Sequence, residues 1–179
     1  MKPLKNIILL AFVVVTGAFT PHERIYPETL DWDIHFRGNP DPNSNFAAVT
    51  STIWQYGYRS TIRGNKLQLD FNFLGGVDAN KSWVKRERIK NRNASKQLLN
   101  HEQGHVYINF LLLKKGEYIL KNQGYTVSNY KRLIDKTAKD ISKFYNSMQE
   151  RYDLETKHGS DLEAQEKWNT FFESELKGL

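Results

Sequence analysis

The sequence predicts an α+β domain in which an N-terminal antiparallel sheet precedes a helical half. Three runs between Leu30 and Leu74 carry β-type patterning, a Gly75-Gly76 pair follows, and beyond Asn93 the apolar residues recur at three and four rather than two. Strands first and helices afterward is the order of an α+β fold.

In the first run, Leu30, Trp32, Ile34 and Phe36 alternate with Asp31, Asp33 and His35, the period of a half-buried strand. Gly38, Asn39, Pro40, Asp41, Pro42 and Asn43 combine glycine, φ-locked prolines and side chains that bond their own backbone, so a loop follows. A second strand covers Ala48 to Tyr58 (Val49, Thr50, Thr52, Ile53, Trp54, Tyr56) and a third covers Lys66 to Leu74 (Leu67, Leu69, Phe71, Phe73). Arg63, Gly64 and Asn65 turn the chain between them.

Leu98, His101, His105, Ile108 and Leu112 share one face of a long helix predicted from about Ala94 toward Leu120 and ended by Gly124. A second helix from about Ser128 carries Leu133, Ile134, Thr137, Ile141, Phe144, Tyr145 and Met148 and fades near Tyr152. A third begins after Gly159, with Ser160 and Glu163 as a capping box and Trp168, Phe171 and Phe172 as its buried face.

Residues 1–19 carry signal-peptide grammar: Lys2 and Lys5, an apolar run from Ile7 to Val15, then Thr16, Gly17 and Ala18. The run is shorter than the roughly 20 apolar residues that span a bilayer. The expectation is a secreted or periplasmic protein whose residues 20–179 form one domain, without stable membrane insertion after signal cleavage; an uncleaved anchor is the alternative. The chain has no cysteine, which excludes a disulfide framework and a thiolate metal site. Its 26 basic and 20 acidic residues give +6, which falls to +4 without Lys2 and Lys5. The run Lys85, Arg86, Arg88, Lys90 and Arg92 reads as a solvated face, and no nucleic-acid partner is expected.

The chemistry lies in His101, Glu102, Gln103, Gly104 and His105, an H-E-x-x-H frame inside the long helix. Two histidines four apart stand one turn above each other, so both imidazoles reach one Zn2+, and Glu102 borders the same site as general base for a zinc-activated water. A catalytic zinc takes three protein ligands. The metzincin extension would need glycine and histidine where Ile108 and Leu111 stand. His22 adjoins the signal and His35 alternates outward, which leaves His158, in the connection between two helices, with a carboxylate (Asp153, Glu155 or Glu150) as the alternative. Gly104, costly inside a helix, signals close approach of another backbone or a tolerated weak position.

The H-E-Q-G-H helix, together with Y-D-L-E-T-K-H-G over Tyr152 to Gly159 and the following Gln165, resembles the bacterial family called domain of unknown function 922, described as predicted secreted zinc-dependent proteases. The likeness covers about Leu30 to Trp168 and departs at Glu166, where a small residue is expected. It implies a zincin-like peptidase with His101, His105 and His158 on the metal and Glu102 as base. Through the second motif it also implies Tyr152 as stabiliser of the oxyanion and Asp153 as the group that orients an imidazole from behind. The function expected is therefore an exported zinc metallopeptidase acting on a peptide or protein, or on a cell-wall amide by the same machinery. The alternative is an exported binding or structural domain with a non-catalytic or absent metal.

Overall fold

The computed structural model describes residues 27–179. The expected signal segment, 1–19, lies outside the described residues. Among the described residues, no helix is long and apolar enough to cross a membrane.

The elements run α1 (Trp32–His35), β1 (Ala48–Val49), β2 (Thr52–Arg63), β3 (Lys66–Val77), β4 (Trp83–Val84), a 3-10 turn (Arg86–Ile89), α2 (Arg92–Asn122), α3 (Tyr130–Thr156) and α4 (Leu162–Lys177). The α+β class and its order hold, but the expected single sheet is two two-stranded antiparallel sheets, β1 with β4 and β2 with β3.

The first predicted strand is the clearest correction. The Asp31 carboxylate accepts from the Asp33 and Ile34 amides and caps a single helical turn, α1. Leu30 and Phe36 are buried, yet Ile34 is 63 % exposed, so the alternation marks the two ends of a helical turn rather than one face of a strand. The second predicted strand breaks at Thr50 and Ser51. The fully buried Ser82 hydroxyl accepts from the Ser51 amide, and the Asp78 amide donates to the Ser51 carbonyl. The chain thus leaves β4 as its partner and takes up β3, with Thr52 opposite Val77 and Arg63 opposite Lys66.

Trp54, Tyr56 and Tyr58 of β2 and Leu67, Leu69, Phe71 and Phe73 of β3 project from one face of this hairpin onto the main core. That core is built on Ile108, Leu111, Leu112 and Leu120 of α2, Ile134, Ala138, Ile141, Tyr145 and Tyr152 of α3, and Trp168 and Phe172 of α4. A smaller core joins Leu30, Phe36, Ala48 and Val84 to Val106, on another face of α2. Covered on several sides, α2 buries His101 to Gly104 at its centre.

Helix α2 starts earlier than predicted because the Asn91 side chain accepts from the Asn93 and Ala94 amides. Helix α3 runs through Thr156, so Tyr152 and Asp153 sit in its final turns, and only the following short turn is the connection. Helix α4 is capped by Asp161, which accepts from the Ala164 amide; Ser160, predicted as the cap, instead donates to the Lys157 carbonyl at 2.7 Å. Of the predicted basic face, Arg86 bonds Asp33 and the Trp32 carbonyl, and Lys85 donates to the Ser44 carbonyl.

Candidate metal centre

Helix α2 presents His101 and His105 one turn apart toward the end of α3. Three imidazole nitrogens converge on one carboxylate oxygen there: His101 Nε2 and His105 Nε2 each lie 3.1 Å from Asp153 Oδ1, and His158 Nδ1 lies 3.5 Å from the same atom. Ligand atoms bound tetrahedrally at 2.0 to 2.1 Å from one zinc stand about 3.3 Å apart, and each of these nitrogen–oxygen spacings is close to that. One ligand atom each from His101, Asp153 and His158 lies within 4.8 Å of the others, and this His/Asp/His group could hold a metal ion.

The site contains its own supports. His101 is 2 % exposed, and its Nδ1 lies 3.3 Å from Gln165 Oε1. The Gln165 amide donates to the Tyr152 hydroxyl at 2.8 Å, and that hydroxyl donates to the His101 carbonyl at 2.8 Å. Gln165 Oε1 is thereby placed to accept from His101 Nδ1–H, with His101 Nε2 turned toward Asp153. Thr156, also fully buried, donates to the Tyr152 carbonyl and accepts from the Gly159 amide. On the other histidine, Gln149 Oε1 lies 2.6 Å from His105 Nδ1.

Asp153 thus faces the Nε2 atoms of His101 and His105. The positions behind the rings belong to Gln165 and Gln149. Tyr152 is completely buried, its hydroxyl bonds His101 and Gln165, and its ring stacks on the His101 ring at 4.7 Å. Burial pushes the phenol further up, against the opposing Gln165 hydrogen bond. The hydroxyl is enclosed, with its proton engaged by the His101 carbonyl.

Gly104 is explained by the same residue. A Cβ there would collide with the Tyr152 hydroxyl and ring, so the close approach is made by a side chain and not by a strand backbone. Gly159 packs in the same way: with φ +81° it brings its Cα against His101, and a Cβ would lie 2.7 Å from that residue's Cβ. Lys157 and His158 precede it with φ of 47° and 53°, a left-handed run that turns His158 back toward Asp153. Backbone of this kind is costly for non-glycine residues and clusters at functional sites. His158 remains about half exposed, with the Phe46 ring 4.9 Å away.

The electrostatics follow the geometry. Burial would raise the Asp153 carboxyl, but hydrogen bonds with His101 and His105 outweigh it and hold the group well below the usual carboxylate range. Burial would lower His105; the Asp153 hydrogen bond and the Glu102 and Asp153 charges overcome this and raise it. Glu102, 3 % exposed, accepts from the Thr50 hydroxyl at 2.6 Å through Oε2.

Residues 23–159 match the model of a family described as bacterial protein of unknown function (DUF922). The chain belongs to this family. No curated protein and no solved structure matches it. The matched segment reaches from before α1 to Gly159 and so includes every residue of the DUF922 chain expected on the metal; Gln165, which orients His101, lies beyond it on α4.

Thr50, Gln149, Thr156 and Gln165 carry no functional role in the sequence reading. Gln149, Tyr152, Asp153 and Thr156 do stand at i, i+3, i+4 and i+7, one face of α3, and that spacing is the signal that links them.

Proposed function

We propose that this protein is an exported zinc-dependent peptidase of zincin type. The observation that carries the reading is the convergence of His101, His105 and His158 on Asp153 Oδ1 at ligand spacing, with Glu102 on the same helix. His101 and His105 would supply two nitrogen ligands and His158 or Asp153 the third, which leaves the fourth position to water. Zinc held there would supply a Lewis acid and a bound water with a pKa lowered toward about 7. Three imidazoles and one carboxylate, with no thiolate, are donors that zinc accepts.

The chain's own residues perform the rest. Thr50 ties down Glu102 Oε2, which aims the carboxylate and leaves Oε1 to accept the proton of the attacking water and return it to the leaving amine. Gln165 and Gln149 keep Nδ1 protonated on His101 and His105, so both Nε2 lone pairs remain available. His158, half exposed and farthest from Asp153, marks the side from which substrate enters. Peptides and proteins are the proposed substrates, with a cell-wall amide open to the same chemistry. Export rests on the signal-like residues 1–19.

A second reading has one observation in its favour: four protein groups surround the point, and a closed tetrahedral set is characteristic of structural zinc. The test is elemental analysis of the purified protein beside peptide hydrolysis, for wild type, His101→Ala and Glu102→Ala. The peptidase reading expects about one zinc per chain, its loss in His101→Ala, and a Glu102→Ala protein that keeps the metal but not turnover. Zinc-loaded wild type without hydrolysis across a broad peptide set supports the structural reading, and a folded wild type that takes no metal overturns both.

A further inference from the structure

Beside the metal centre a cleft of about 190 Å³ opens between β2, α2 and α3. It adjoins the site through His105, the Gln149 that grips it and the Thr50 that holds Glu102, all of which line it. Its floor is apolar, formed by Ile108 and Leu112 with the buried Tyr145. Thr52, Asn109 and Asn146 complete the wall.

We propose that this cleft receives one substrate side chain adjoining the scissile bond, and that it selects an uncharged side chain, with room for a single aromatic ring. The inference rests on the peptidase reading and adds its specificity.

Two physical arguments set the class. The first is charge: no Asp, Glu, Lys or Arg lines the cleft. Burial and the Glu175 charge push the Tyr145 phenol up to about 12, so this wall is neutral too. A charged side chain entering would shed water and find no countercharge, a cost that hydrogen bonds to neutral groups do not recover. A neutral polar side chain is better served. Asn109 is 5 % exposed and spends its Nδ2 on the Ile53 carbonyl at 3.0 Å, but its Oδ1 has no hydrogen-bond partner among the described residues. The Thr52 hydroxyl and the Asn146 amide also have none there. An aliphatic or phenyl group instead covers Ile108 and Leu112.

The second argument is size. A cavity of about 150 Å³ takes a benzene ring. The 190 Å³ cleft therefore holds side chains of leucine to phenylalanine size.

The test is digestion of a complex peptide mixture by the metal-loaded protein, with the residues flanking each cut read by mass spectrometry. Wild type, Asn146→Asp and Asn146→Lys are compared, since position 146 is exposed and its replacement leaves the core intact. In wild type, one position next to the cut should be depleted of Asp, Glu, Lys and Arg. Asn146→Asp should enrich Lys and Arg at that same position by about tenfold, and Asn146→Lys should do so for Asp and Glu. The same order should hold for peptide binding to the Glu102→Ala protein, which measures the cleft without turnover. Cleavage with no such depletion, or with a preference that neither variant moves, overturns the inference and leaves the peptidase reading standing. Absence of any cleavage by the metal-loaded wild type overturns both.

Discussion

Gln149 holds His105 at both ends of the residue: its Oε1 lies 2.6 Å from the imidazole Nδ1, and its Nε2 donates to the His105 carbonyl at 3.1 Å. One amide thereby sets the ring's tautomer and ties it to the helix backbone. Replacing it with Leu leaves the ring free to rotate and to protonate at Nε2. Gln149→Leu is expected to weaken zinc binding by about 10- to 100-fold with the helical content unchanged, measured by competition with a chromogenic chelator. Affinity equal to wild type would show that Asp153 alone orients His105.

Gly104→Ala tests the packing that seats His101. Alanine favours a helix by about 1 kcal/mol over glycine, but the added Cβ meets the Tyr152 hydroxyl and ring, and overpacking costs about 1 to 3 kcal/mol. The expected net effect is a lower denaturation midpoint. Tyr152→Phe removes the nearest atom, so the double variant should recover part of the loss. Strict additivity in this cycle would mean that the two positions do not meet.

Asp153 and His158 can be ranked as ligands. Asp153 Oδ1 is shared by all three imidazoles, while His158 is half exposed on a left-handed turn. Asp153→Ala is therefore expected to lower zinc affinity more than His158→Ala. Isothermal titration of both variants decides the order, and the reverse result would make His158 the principal third ligand.

Without metal, the pair of Asp153 and His105 gives the protein a stability window. The Asp153 carboxyl is depressed on folding, so its contribution is present above the unfolded carboxylate value of about 3.9 and is lost as pH falls through its lower folded value. The His105 imidazole is raised, so its contribution is complete below about 6.5 and is lost as pH rises through its folded value. Chelator-treated protein should melt at its highest temperature between these limits and at a lower one toward alkaline pH. With zinc the slope should reverse across neutrality, because metal takes the place of the protons. Melting curves that rise with pH in the metal-free protein would contradict the pairing.

Much of this was legible in the chain itself. The H-E-x-x-H frame lies in a long amphipathic segment whose helical period follows from local sequence, so His101, Glu102 and His105 were bound to share one region of one helix. The change from period two to period three and four fixed the order of strands and helices, because side-chain periodicity is a local property of the backbone. The length of the Leu30–Phe36 run defeated the same logic: over one turn, a period-two pattern is compatible with both structures, and the Asp31 cap decided for helix.

What only the tertiary structure decided is how distant neutral groups meet. Gln165 and Tyr152 are 13 residues apart and reach His101 from α4 and α3, and Thr50 reaches Glu102 across 52 positions. Glutamine, threonine and tyrosine have no spacing rule that announces a partner. Their roles arise when packing removes water and each buried donor must find the one acceptor left within reach. That condition buries Tyr152 against His101 and sets Asp153 opposite the Nε2 atoms of His101 and His105.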